Sequence, residues 1–119
     1  MKKVLIVDDS ETDLKYLQKI VNEAHYTTIT ARSGKEAIEK ARHEKPSLIL
    51  MDIIMGDMDG FSTCREITRD PDLKEIPVVF VSSKNQRADH LWANRQGAKA
   101  LITKPYRNEE ILTQLQAYA

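Results

Sequence analysis

Val4-Leu5-Ile6-Val7-Asp8-Asp9-Ser10 decides the fold of this chain: four consecutive apolar residues, then two acids and a helix-capping serine. An apolar run without alternation suits a strand covered on both faces, and the acids that end it lie where such a strand emerges from the core. Leu48-Ile49-Leu50-Met51 followed by Asp52 repeats the pattern, and Val78-Val79-Phe80-Val81 followed by Ser82 repeats it again. These three runs read as central parallel strands. Thr27-Thr28-Ile29-Thr30-Ala31 and Lys99-Ala100-Leu101-Ile102-Thr103 mix β-branched and polar residues, as edge strands do.

Between the strands the period turns helical. Leu14, Leu17, Val21 and Ala24 recur at steps of three and four, opened by Ser10 with Asp13 in the place of a capping-box acid. Ser33 with Glu36 opens a second helix carrying Ala37, Ile38 and Ala41. Phe61, Cys64 and Ile67 mark a third face, Ala88, Leu91, Trp92 and Arg95 a fourth, and Ile111, Leu112 and Leu115, after Asn108, a fifth. Pro46, Pro71, Pro77 and Gly97 fall between elements, where turns are needed.

Five strands alternating with five helices make a (βα)5 chain. With right-handed crossovers and the weak strands at the edges, the expected fold is α/β, flavodoxin-like (CheY-like) and doubly wound. Its five-stranded parallel sheet has the order 2-1-3-4-5. The strand order then reverses between the first and third strands, and a ligand belongs outside their carboxyl ends. Residues 1–119 form one domain, a length that supports one core without disulfides, and the single Cys permits no internal disulfide. The expected compartment is the cytoplasm. No apolar run approaches the roughly 20 residues of a membrane span, and the start Met1-Lys2-Lys3-Val4 has no signal-like apolar stretch. Eighteen basic residues balance eighteen acidic ones, with 9 against 11 in residues 1–60 and 9 against 7 in 61–119. That balance points to neither nucleic acid nor membrane insertion.

Asp8, Asp9 and Asp52 converge on the predicted crevice. At about 4 Å and an effective dielectric near 20, each pair of unit charges repels by roughly 4 kcal/mol, so the cluster needs positive compensation. A divalent oxygen-seeking ion such as Mg²⁺ and the ammonium of Lys104, after the fifth strand, supply it, while Ser82 adds a hydroxyl. A carboxylate nucleophile, a metal site, a hydroxyl and an ammonium are what phosphoryl transfer to an aspartate requires. Each motif alone has a plainer reading: Asp-Asp-Ser as a solvated loop with an N-cap, Ser82 as a turn residue, Lys-Pro as a loop. Their joint placement at strand ends favours the site. Cys64 reads as core packing, His25, His43 and His90 as surface residues, and Trp92 as core, with partner surface as the alternative.

The set Leu5–Ser10, Leu50–Met55 leading to Asp59-Gly60, Ile76–Val78 through Ser82-Ser83, Gly97-Ala98 and Lys104-Pro105 resembles a response-regulator receiver domain of the CheY-like superfamily. That resemblance implies Asp52 as phosphoacceptor from a sensor histidine kinase. It implies Mg²⁺ held by Asp9, Asp52 and the carbonyl of Ile54, with Asp8 acting mainly through a metal-bound water. Ser82 and Lys104 would each hold a phosphoryl oxygen, and the Lys104-Pro105 bond would be cis. Phosphorylation would shift a population toward a state in which Ser82 moves and the surface of the fourth helix, fifth strand and fifth helix changes for a docking protein target. Output by docking fits a chain that stops about one helix after Lys104.

Two positions depart from the pattern. Leu101 stands where many receivers carry a Tyr or Phe that rotates inward with the hydroxyl. Met55-Gly56 replaces the usual Met-Pro, which implies a looser loop. The stretch Leu91–Ala98 and the insertion Asp70–Leu73 are similar to the PilH type of type IV pilus twitching-motility regulator. A phosphate sink for another regulator and a phosphorylation-independent docking module are the alternatives. A haloacid-dehalogenase phosphatase would place a second Asp two residues after the nucleophile, where this chain has Ile54. A lasting phospho-aspartate, and a switch rather than an enzyme, follows. An FMN binder would need a phosphate cradle after the first strand, where Asp8 and Asp9 would repel it.

Overall fold

The computed structural model of the chain describes residues 2–56 and 58–119. Strands β1 (Lys3–Val7), β2 (Thr27–Ala31), β3 (Leu48–Met51), β4 (Val78–Ser82) and β5 (Ala100–Thr103) alternate with helices α1 (Glu11–Glu23), α2 (Gly34–Glu44), α3 (Gly60–Arg69), α4 (Arg87–Arg95) and α5 (Asn108–Tyr118). All strand pairs are parallel and the order is β2-β1-β3-β4-β5, as expected. The edge positions of β2 and β5 follow from their polar residues, which are only partly buried, whereas every residue of β3 and β4 is buried.

Alternation along the central strands divides the core in two. Leu5, Val7, Ile49, Met51 and Phe80 point to the face covered by α2, α3 and α4. Val4, Ile6, Leu48, Leu50, Val79 and Val81 point to the face covered by α1 and α5. Phe61 of α3 meets Phe80 edge-on, with centroids 5.5 Å apart, worth about 0.5–1.5 kcal/mol beyond area burial. Gly60 opens α3 where the backbone runs against β3: a Cβ there would collide with the carbonyl oxygen of Asp52 and stand 2.7 Å from Ile53 Cα. Gly97, at φ +95°, turns the chain between α4 and β5. Cys64 is buried, as expected, and its thiol donates to the Gln96 carbonyl at 3.4 Å.

Two local expectations are corrected. The stripe Ala88, Leu91, Trp92 and Arg95 of α4 has core-facing spacing, yet all four residues are exposed, Trp92 by 45%. Helix α4 instead buries Ala93 on the sheet. It is tied at its C-terminal end to α3, because Thr68 Oγ1 donates to the Gln96 carbonyl at 2.9 Å. Trp92 is therefore surface rather than core. The Ser10–Asp13 capping box is only half formed. The Asp13 amide donates to Ser10 Oγ at 3.4 Å, but the Asp13 carboxylate turns to Lys104. Among the described residues outside its immediate chain neighbours nothing stands within 4 Å of a Cβ placed at Gly56, so packing against them does not require glycine there.

Candidate phosphoacceptor site

Parallel register builds the site. Val7 pairs with Met51, so the next residues, Asp8 and Asp52, leave the sheet side by side at the switch point. The Asp52 amide donates to the Val7 carbonyl at 3.0 Å, and the Asp8 amide to the Ala31 carbonyl at 3.1 Å. Both carboxylates are buried, Asp8 to 5% exposure and Asp52 to 8%. Each receives a local N–H that holds it against its own loop: Ser10 donates to Asp8 Oδ1 at 2.9 Å and Ile54 to Asp52 Oδ1 at 3.2 Å.

Lys104 comes from the opposite side. Ser82 pairs with Thr103 across β4 and β5, and the Lys104 amide donates to the Ser82 carbonyl at 2.9 Å, fixing the base of the lysine side chain. The following Lys104-Pro105 bond is cis, as the resemblance implied. From there the ammonium donates to Asp8 Oδ2 at 2.8 Å, Asp13 Oδ2 at 2.9 Å and Asp52 Oδ2 at 3.0 Å. A lysine ammonium has three N–H donors, and here each has a carboxylate. Ser82 is fully buried at the end of β4, with its hydroxyl oxygen accepting from the Lys84 amide at 3.3 Å.

The electrostatics follow from one cation shared among three acids. Burial raises the Asp8 carboxyl above its ordinary value, and the hydrogen bonds from Lys104 and Ser10 offset only part of that cost. Burial also works against the Lys104 ammonium. The hydrogen bonds to Asp8, Asp13 and Asp52 outweigh it and push the lysine well above its usual range. Lys104 stays charged, and Asp8 bears the unrelieved part of the negative field.

The structure brings Asp8, Asp52 and Lys104 together as the sequence implies, with Ser82 on the adjoining strand end. Asp9 is different. It is exposed, its backbone carbonyl accepts from Arg32 at 3.0 Å, and it is not a partner of Lys104. The third carboxylate on the lysine is Asp13, one turn further into α1 than the motif reaches. Sequence spacing assigned Asp13 to capping; its position in the first turn of the helix that leaves the switch point was the available signal. Among the described residues no group of three acids or other metal-binding side chains stands at metal-ligating spacing. The donor set still fits Mg²⁺, which takes one or two carboxylates directly and keeps several waters. Two buried carboxylates, Asp8 and Asp52, share the site with a single cationic side chain, which leaves it net negative.

Two clefts flank the site. Lys104 and Asp13, with Tyr16, Pro105 and Tyr106, line one of about 400 Å³, where the Tyr16 and Tyr106 rings stand 5.9 Å apart. A second, of about 520 Å³, separates Ile53, Ile54 and Met55 after β3 from Ala88 and Trp92 of α4. No described helix is long and apolar enough to cross a membrane.

A doubly wound sheet with buried aspartates at its switch point and a lysine on the fifth strand end defines a phosphoryl-accepting signalling domain, and residues 4–116 match the response regulator receiver domain family. The chain belongs to that family, and so to the proteins of two-component signalling, whose receivers work with histidine kinases and generally bind Mg²⁺ at the phosphorylation site. Among particular relatives, it is 38% identical to Protein PilH of Pseudomonas aeruginosa, over 98% of this chain and 97% of that one. It is 32% identical to the polar-differentiation response regulator DivK of Brucella ovis, over 98% and 95%. In three dimensions it is similar to the chemotaxis protein CheY4 of Vibrio cholerae, with a TM-score of 0.93 at 28% identity, covering 100% of this chain and 99% of that one.

Proposed function

We propose that the chain is a single-domain response regulator that accepts a phosphoryl group on Asp52 from the phosphohistidine of a sensor kinase. The N–P bond of the donor breaks, an O–P bond forms at an Asp52 carboxylate oxygen, and the imidazole leaves with the bonding pair and takes up a proton. The observation that carries this reading is the placement of Asp52: a buried carboxylate at the switch point, oriented by the Ile54 N–H and held by the Lys104 ammonium. Lys104 is already charged and beside the acceptor oxygen, so it is placed to neutralise charge on an incoming phosphoryl group. Ser82 supplies a hydroxyl donor from the next strand end. On the family pattern Asp9 and Asp52, with the Ile54 carbonyl, would hold Mg²⁺ once the exposed Asp9 carboxylate turns inward, and Asp8, buried beside Asp52, would act through a water on the ion. When bound, the ion would offset charge on the carboxylates and phosphoryl oxygens.

The role is that of a switch with self-phosphorylating and slow self-dephosphorylating chemistry, not of a turnover enzyme. Ile54, two residues after the acceptor, offers no acid or base to discharge the acyl phosphate. Phosphorylation would shift α4, β5 and α5, where Leu91, Trp92 and Leu112 are exposed apolar side chains suited to a docking target. Likeness to the PilH type supports an output in twitching motility of type IV pili, and the charge balance supports a protein target rather than nucleic acid.

The test is intact-mass spectrometry after incubation with Mg²⁺ and acetyl phosphate. The wild-type chain should gain one phosphoryl group and Asp52→Asn none. Equal labelling of the variant would place the acceptor elsewhere.

A further inference from the structure

We propose that Asp13 is a positioning residue for phosphoryl transfer: it anchors the Lys104 ammonium between α1 and the acceptor strand while the other two carboxylates change state. This rests on the reading of Asp52 as phosphoacceptor. Of the three acids on Lys104, Asp52 loses a charged oxygen when the acyl phosphate forms. Asp8 has a second duty, since its other oxygen accepts from the Ser10 amide. The Asp13 carboxylate has Lys104 as its ion-pair partner, at 2.9 Å, and stands on the rim, with its side chain 47% exposed. It takes no part in the bond changes at Asp52.

The anchoring role has a geometric basis. Lys104 reaches Asp13 and Asp52 at the same time, at 2.9 and 3.0 Å, so the α1 acid does not draw the ammonium away from the acceptor. A lysine stem is long and flexible, and without Asp13 the acylation of Asp52 would leave its head held by Asp8 alone. Carboxylates on two elements fix its direction, and the N–H freed when Asp52 is acylated then points at the new phosphoryl group. Positioning of this kind is what phosphoryl transfer draws on most.

The sign of the effect separates this role from a simple field effect. Removing a negative charge near the site would, by long-range electrostatics alone, speed attack on an anionic phosphodonor. Loss of an anchor slows it. Phosphoryl incorporation from acetyl phosphate at saturating Mg²⁺ should fall about three- to fivefold in Asp13→Asn, the range expected for a half-exposed charge-assisted contact. Asp13→Glu should retain at least half the wild-type rate. In a Lys104→Met background, Asp13→Asn should change nothing, because the acid acts through the lysine. An Asp13→Asn rate equal to or above wild type would overturn the proposal. So would equal slowing in the Lys104→Met background, or an Asp13→Glu variant as slow as Asp13→Asn. Failure of the wild-type chain to label at all would instead refute the phosphoacceptor reading.

Discussion

Lys104→Met removes the one ammonium that joins Asp8, Asp13 and Asp52, and its cost can be worked from the distances. Each carboxylate oxygen lies within 3.0 Å of the same nitrogen, so any two are no more than about 6 Å apart, and at an effective dielectric near 20 a unit-charge pair at that distance repels by about 3 kcal/mol. Asp13 is half exposed and its share is screened, while the Asp8–Asp52 pair is buried and is not. Removing a partly buried lysine also relieves its own desolvation cost. The expected net loss in the metal-free protein at pH 7 is about 2–3 kcal/mol, a large part of the 5–15 kcal/mol typical of a domain. Urea unfolding at pH 7, with and without Mg²⁺, and again near pH 4, measures it. The Asp8 carboxyl already sits above its ordinary value in the fold, so the folded state takes up the proton first. The penalty is therefore fully present above the folded pKa and shrinks as pH falls toward the unfolded one. Mg²⁺ should recover part of the loss by mass action. A change below about 0.5 kcal/mol, within the range of an ordinary surface substitution, would refute the reasoning. A deficit indifferent to both pH and Mg²⁺ would refute it as well.

Asp8→Asn should stabilise the metal-free fold by about 1 kcal/mol at pH 7, with the gain fading toward pH 4 because burial raises the wild-type carboxyl; parallel urea curves check this, and destabilisation at pH 7 would contradict it. Gly60→Ala should cost about 2–3 kcal/mol, since the new Cβ would run into the backbone of Asp52 and Ile53, which cannot yield as a side-chain end can. A midpoint close to wild type in the same assay would show that the loop moves aside. Trp92 is the chain's single tryptophan and lies in the open, so its fluorescence should be quenched freely by acrylamide in the native state. Trp92→Ala should cost under about 1 kcal/mol rather than the 3–5 kcal/mol of a core indole, and strong protection from quenching would restore the core reading.

Much of the architecture was legible because strand burial leaves a local mark. Val4–Val7, Leu48–Met51 and Val78–Val81 are apolar throughout since both sides of each strand are covered, and the polar residues of β2 and β5 identify the edges. Strand order places the switch point, and the acids that directly follow β1 and β3 then have nowhere else to go. The α4 stripe was misleading for a stated reason. Periodicity defines a stripe on a helix without saying which side meets the sheet, and here the small side chain of Ala93 lets α4 lie close while Leu91 and Trp92 turn outward.

The sequence by itself determined the sheet, its reversal point and the positions of Asp8, Asp52, Ser82 and Lys104 at strand ends, because each sits one step beyond a run whose burial its own composition announces. Only the tertiary structure decided which acid completes the lysine's shell. Asp9 stands two residues after the first strand and Asp13 in the first turn of α1, and choosing between them depends on where Lys104, 91 positions from Asp13, extends its side chain. That contact is set by the packing of α1 beside the β5–α5 turn, a long-range relation that no local pattern encodes.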